Sequence, residues 1–233
     1  NCSFSSVCAA IRIGLKSIGS ISDVHISHCS MKNVWREGIK IECSEGGNIS
    51  DINIQDITMN DVSRPIFILL NNRFEPDDLG SSLELDHIPE IGTMSDIIIS
   101  DIIASDSDEM RNTHYRFDDD VMGSPKFAGI RIDAEKNHPI RNLTLRNISY
   151  KFIGGVKLSD IPNEYPEVID KLIDCDTLSS ENYYPDWSRA SFMDIRNIIG
   201  LNVRNIQCFA IYPDERRGII TENVQFSDNS DNL

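Results

Sequence analysis

Apolar residues recur along this chain as h-x-x-h-x-h-x-x-h-x-h. One copy is Ile21, Val24, Ile26, Cys29 and Met31, and the next is Ile49, Ile52, Ile54, Ile57 and Met59. Three more follow: Met94, Ile97, Ile99, Ile102, Ala104; Ile140, Leu143, Leu145, Ile148, Tyr150; and Ile198, Leu201, Val203, Ile206, Cys208. A shorter alternating segment recurs as well, in Ala10–Gly14, Gly38–Glu42, Pro65–Leu69 and Gly129–Asp133, with a weaker copy at Ser191–Ile195. From Ile11 to Ile39 is 28 residues, and from Ile39 to Ile66 is 27.

Alternation at period two marks strands rather than helices, and the Ile and Val content agrees. One such repeat cannot bury its apolar face alone, so repeats must stack. The pattern therefore predicts an all-β right-handed parallel β-helix, a solenoid with aliphatic ladders along its axis. Seven residues after the first apolar position of each copy stand His28, Asp56, Asp101, Asn147 and Asn205, with Asn1 in the same column. Asn and Asp tolerate the left-handed conformation at bends, so this column reads as structural rather than catalytic.

The repeat predicts one domain over 1–233, broken by loop insertions at 71–93, 105–128 and 151–190. Proline, glycine and charge mark these segments as surface loops, and insertions on a solenoid tend to gather on its binding face. The longest contains a possible short helix, Glu164–Ile173, and the aromatics Tyr183, Tyr184 and Trp187 near its end. These aromatics either pin the loop to the scaffold or stack on sugar rings. After the last copy comes Tyr212–Ile220, and then a polar tail that reads as frayed. Asn1–Phe4 matches the tail of a repeat, and no cap precedes it, so the expectation is a C-terminal portion lacking its N-terminal coils.

Composition narrows the partners. The net charge of −15 and pI near 4.6 leave no basic stripe for nucleic acid. No apolar run reaches membrane-spanning length. Six cysteines include no C-x-x-C pair; Cys2, Cys29 and Cys208 fall in apolar columns and read as core thiols. The five histidines, His25, His28, His87, His114 and His138, lack metal-ligand spacing, so no metal is expected.

In order and spacing, these motifs resemble glycoside hydrolase family 28, the polygalacturonase-like pectin hydrolases. The resemblance is carried by Asn1-Cys2, Ala10–Gly14 with Asp23-Val-His-Ile, and Gly38–Glu42 with Gly46-Gly47. Ser63–Leu69 with Asn72-Arg73, Gly154-Gly155, Tyr165-Pro-Glu167 and Gly200–Asn205 extend it over nearly the whole chain.

The resemblance implies inverting hydrolysis of a pectic polysaccharide, of galacturonan or rhamnogalacturonan type. One carboxylic acid would protonate the leaving oxygen and one carboxylate would activate water, without a cofactor. The substrate class implies an extracellular or periplasmic protein. The family's N-T-D and D-D motifs have no match here, and Asp118-Asp119-Asp120 sits in a loop, so the acid–base pair is expected upstream. The G-H-G histidine also lacks a counterpart, since Val7 and Cys8 stand near that place.

Lys40 and Glu42 replace the arginine and lysine that in the family grip a substrate carboxylate. Lys40 lacks the bidentate fork, and Glu42 reverses the charge, which favours a neutral sugar such as rhamnose there. Arg12, Lys40, Glu42 and Arg73 are accordingly the expected substrate-binding residues. On the residues alone, Arg12, Lys40 and Glu42 equally suit a solvated charge ladder. The alternative function is a non-catalytic polysaccharide-binding module of adhesin or tailspike type. A β-helix polysaccharide lyase is a third possibility, but no acidic cluster shows a clear calcium-site pattern.

Overall fold

The computed structural model describes residues 1–15, 17–72, 74, 87–107, 129–161, 188–228 and 230–231. The expected helix at 164–173, the aromatics Tyr183, Tyr184 and Trp187, the acidic run 118–120, His114 and Arg73 lie outside the described residues. Described secondary structure is almost wholly β, with a single 3-10 turn at Leu158–Asp160.

Among the described residues, ten strands form one sheet. They are β1 (Cys2–Ser6), β2 (Ile11–Leu15), β3 (Ser20–Ile21), β4 (Val24–Cys43), β5 (Asn48–Leu70), β6 (Thr93–Ser105), β7 (Ile130–Ala134), β8 (Ile140–Gly154), β9 (Ala190–Tyr212) and β10 (Arg217–Phe226). The main path runs β1-β4-β5-β6-β8-β9-β10, and every neighbouring pair in it is parallel. Off this path β2 pairs with β4, β3 with β5, and β7 bridges β5 and β9.

The register is that of the apolar repeat. Val24, Ile52, Ile97 and Leu143 align across β4, β5, β6 and β8. Ile26, Ile54, Ile99, Leu145 and Val203 form the next column, and Ile11, Ile39, Ile66, Ile130 and Met193 another. Nearly all of these side chains are buried. Each buried aliphatic side chain contributes about 1.5–3 kcal/mol by leaving water, so the columns carry the stability.

The polar column performs the turn chemistry expected of it. His28, Asp56, Asp101, Asn147 and Asn205 have φ of 56°, 57°, 59°, 53° and 50°. A second left-handed column, Asp23, Asp51, Asp96 and Asn142, has φ of 58°, 54°, 57° and 54° and aligns with Gly200 at 78°. Amides bridge successive rungs: Asn142 Nδ2 donates to Asp96 at 2.9 Å, Asn147 Nδ2 to Asp101 at 2.8 Å, and Asn205 Nδ2 to Asn147 at 3.0 Å. Two bends five residues apart therefore turn the chain in each repeat.

Several boundaries differ from the sequence reading. The loop placed at 151–190 starts later, because β8 continues to Gly154 with Lys151 and Phe152 paired to Phe209 and Ala210. Ser105 ends β6 and Thr93 begins it, so the flanking loops are shorter than 71–93 and 105–128. β10 runs into the polar tail taken as frayed and pairs with β9 from Ala190 to Leu201. The following residues also dock, since the Ser227 and Asp231 amides donate to the Leu201 and Val203 carbonyls, each at 2.8 Å. Of the three expected core thiols, Cys29 is buried, Cys208 half-buried and Cys2 exposed. Cys2 lies on β1, whose sheet partner is β4 on one side, so its side chain is covered from that side alone.

Candidate functional site

On the alternating segment of β4, Ile39, Ile41 and Cys43 face the core and Lys40 and Glu42 face outward. Adjacent strands, about 4.8 Å apart, extend this outward face. Arg12, Lys40, Phe67, Arg131 and Asp194 form one aligned row across β2, β4, β5, β7 and β9. Gly14, Glu42, Leu69 and Asp133 form the next. Outward positions on a sheet ordinarily meet water, yet Lys40 is 1 % exposed and Glu42 fully buried. That overturns the solvated-ladder reading for these two residues.

Arg12, Lys40 and Glu42 come together as one ion network. Glu42 lies between the two cations, 2.9 Å from Arg12 Nη2 and 3.2 Å from Lys40 Nζ. Lys40 also lies 3.9 Å from Glu37, which Arg36 and Arg64 approach at 3.6 Å and 3.7 Å. Two cations of the network approach the Phe67 ring, with Lys40 Nζ 5.2 Å and Arg64 Cζ 5.3 Å from its centroid, within cation–π range. Gly14 makes the close approach of β2 possible. Its φ is +85°, and a Cβ there would fall 1.8 Å from the Glu42 carbonyl oxygen.

The network fixes protonation. Burial alone pushes the Glu37 carboxyl up, but Lys40, Arg36, Arg64 and Arg12 together hold it down at about 2. Glu37 is therefore a locked anion at neutral pH and no proton donor.

The face continues into a second cluster on β7 and β9. Arg131 Nη2 donates to Asp133 at 3.3 Å, and the Ser188 hydroxyl donates to Asp194 at 2.9 Å. Arg189 reaches Asp194 at 3.6 Å and Glu222 at 3.2 Å. Asp133 differs from Glu37: burial pushes its carboxyl up, Arg131 and Arg196 only partly offset this, and Asp194 adds to it. Its Oδ1 has no hydrogen-bond partner. Burial thus disposes Asp133, unlike Glu37, to hold a proton.

Other groups are ruled toward structure. Burial raises the Cys43 thiol, against the Ser17 hydroxyl that contacts it, so it is a poor nucleophile. No group of three or more His, Cys, Asp or Glu among the described residues could hold a metal ion. Likewise, no described helix is long and apolar enough to cross a membrane. A separate open groove of about 570 Å³ lies along the left-handed corners, lined by Asp23, His25, Asp51, Asn53, Asp96, Ile98, Asn142 and Thr144 among others.

Three of the four residues expected at the site are thus gathered in one network. Glu37, Arg36, Arg64, Arg131, Asp133, Asp194 and Arg196 were not anticipated. The signal for the distal half lay in the repeat: Ile-Arg-Ile-Asp at 130–133 stands in the columns of Ile-Lys-Ile-Glu at 39–42. No family model matches this sequence, and no curated protein matches it.

Proposed function

We propose that the parallel strands wind as a right-handed β-helix and that the charged outward face forms the wall of a polysaccharide cleft. The reading is a pectic glycoside hydrolase, acting by inverting acid–base hydrolysis on galacturonan or rhamnogalacturonan. The observation that carries it is the aligned row from Arg12 to Asp194, where four charged groups and Phe67 stand on neighbouring paired strands. Pre-organised polar groups on strands suit recognition of an extended chain. The reading leaves the acid–base pair unassigned: Glu37 is held as an anion and cannot donate the proton, and Asp133 is buried.

A non-catalytic glycan-binding module is the second reading, favoured by one observation. Lys40 and Glu42 are paired to each other and enclosed, as structural groups are. Product analysis separates the two. The natural protein is incubated with homogalacturonan and rhamnogalacturonan, and new chain ends are read by mass spectrometry. Saturated products from one backbone support hydrolysis and name the substrate. Unsaturated products sink hydrolysis in favour of elimination, and retained binding without products leaves the module.

A further inference from the structure

The last strands leave part of one sheet edge uncovered. β10 pairs with β9 from Ala190 to Leu201, and the residues after β10 reach as far as Asn205, whose amide donates to Asp231 at 2.8 Å. Beyond that point β9 continues from Ile206 to Tyr212 with β8 on one side, and no described strand pairs with its other side. Ile206 and Cys208 are only half-buried, although Ile148 and Tyr150 in the same columns are 1 % and 2 % exposed. On the outward side, Phe209 and Ile211 are 55 % and 42 % exposed.

Unpaired amides and carbonyls along an edge accept another strand, and proteins ordinarily block this with charge, proline or a bulge. β10 carries Arg217 and Glu222. Ile206–Tyr212 has no charged residue, no proline and no glycine. In a chain of net charge −15, an uncharged edge is where a second copy meets least repulsion.

We propose that Ile206–Tyr212 is a dimer interface, in which β9 pairs antiparallel with β9 of a second copy across a two-fold axis at Phe209. Such a contact is self-complementary and closes at two copies. Directly opposite residues in an antiparallel pair share a face. Ile206 then stands opposite Tyr212 of the second copy and Cys208 opposite Ala210, which covers the half-buried end of the core. Phe209 stands opposite its own copy, with Ile211 on the diagonal.

The test is sedimentation velocity of the 233-residue protein at concentrations up to about 100 μM. A species of twice the 26.3 kDa chain mass is expected. Added salt should raise its share by screening the like net charges. Phe209→Glu sets two carboxylates opposite each other and removes an aromatic pair, so it is expected to weaken the dimer about tenfold or more. Because Phe209 is exposed, this variant should keep the wild-type circular dichroism and melting temperature. Phe209→Tyr keeps the ring and should leave the dimer within about threefold of wild type. A wild type that stays monomeric overturns the proposal, whether or not the variants fold. A dimer that folded Phe209→Glu does not weaken overturns it as well, because another face then holds the copies. An open series of larger species also overturns it, because the contact then fails to close.

Discussion

The chain builds two outward faces from the same alternating pattern, and they differ in what covers them. On the segments around His25, Asn53, Ile98 and Thr144, the outward residues line an open groove, with Ile98 39 % exposed. On the segments around Lys40, Phe67, Arg131 and Asp194, the outward residues are 2 % exposed or less. The core-facing sides are interchangeable ladders of Ile, Leu and Met. The outward sides therefore separate a face that water satisfies from one where protein must satisfy its own charges. Buried charges demand partners, which is why the second face is a network and the first is not.

The sharpest way to break this contrast is to remove one partner from the buried face. Glu37→Ala leaves Arg36, Lys40 and Arg64 beside a lost anion and should destabilise by about 3–5 kcal/mol, read by urea denaturation. Phe67→Ala should cost a similar amount, about 3–5 kcal/mol, through a cavity and two lost cation–π contacts. Costs below about 1 kcal/mol for both would show that this face is looser than its burial implies.

Acid should separate the two halves of the buried face. Glu37 has a folded pKa near 2 against an ordinary 4.5, so its stabilisation is present above 4.5 and lost as pH falls toward 2. The loss is on the order of 3 kcal/mol, and Glu37→Gln should remove that pH dependence. Asp133 has the opposite sign. Its raised folded pKa favours the native state at low pH, and that advantage fades as pH rises above 3.8. Asp133→Asn should therefore flatten stability above pH 3.8 while leaving the Glu37 transition in place. Matching stability–pH slopes for wild type and both variants would sink the assignment.

The left-handed corners come next in size. Asp56, at φ 57°, tolerates a conformation that costs an ordinary residue about 1–2 kcal/mol. Asp56→Ala should lose that amount, whereas Asp56→Asn and Asp56→Gly should lose less than half of it in the same denaturation assay. An equal cost for Ala and Gly would place the effect in side-chain contacts instead of backbone conformation.

How much of this was legible follows from the same contrast. The inward columns were readable because period-two alternation of Ile and Val has one physical meaning, and a one-residue slip would turn every side chain over. The corner at His28, Asp56 and Asp101 was readable from turn chemistry. Its partner at Asp23, Asp51 and Asp96 was missed although it lies five residues earlier in each repeat. β10 escaped notice because Ile219, Val224 and Phe226 sit among polar residues, and its pairing to β9 decides its conformation. The outward face was half legible: Arg12, Lys40 and Glu42 were visible as a charged row, but burial was not. Identical letters at outward positions give a solvated ladder or an enclosed network, according to what packs over them. Glu37 and Arg64 join Lys40 through a register irregularity between Val34 and Glu37, which no repeat pattern specifies.

The smallest expected effect tests the open face. Ile98 stands in a polar column, with Asn53 and Thr144 on either side, and keeps 39 % of its surface in water. Ile98→Thr retains β-branching, so the strand preference survives, and only a partly exposed methylene and methyl are lost. The change should stay within about 0.5 kcal/mol, as surface substitutions do. It also extends the hydroxyl of Thr144 into a two-residue row along the groove floor without adding charge. Urea denaturation of Ile98→Thr beside Phe67→Ala is then a direct comparison of aligned strand positions on the two faces. A loss above about 2 kcal/mol at Ile98 would mean that the groove is closed in solution, and the distinction between a wetted and an enclosed face would fall.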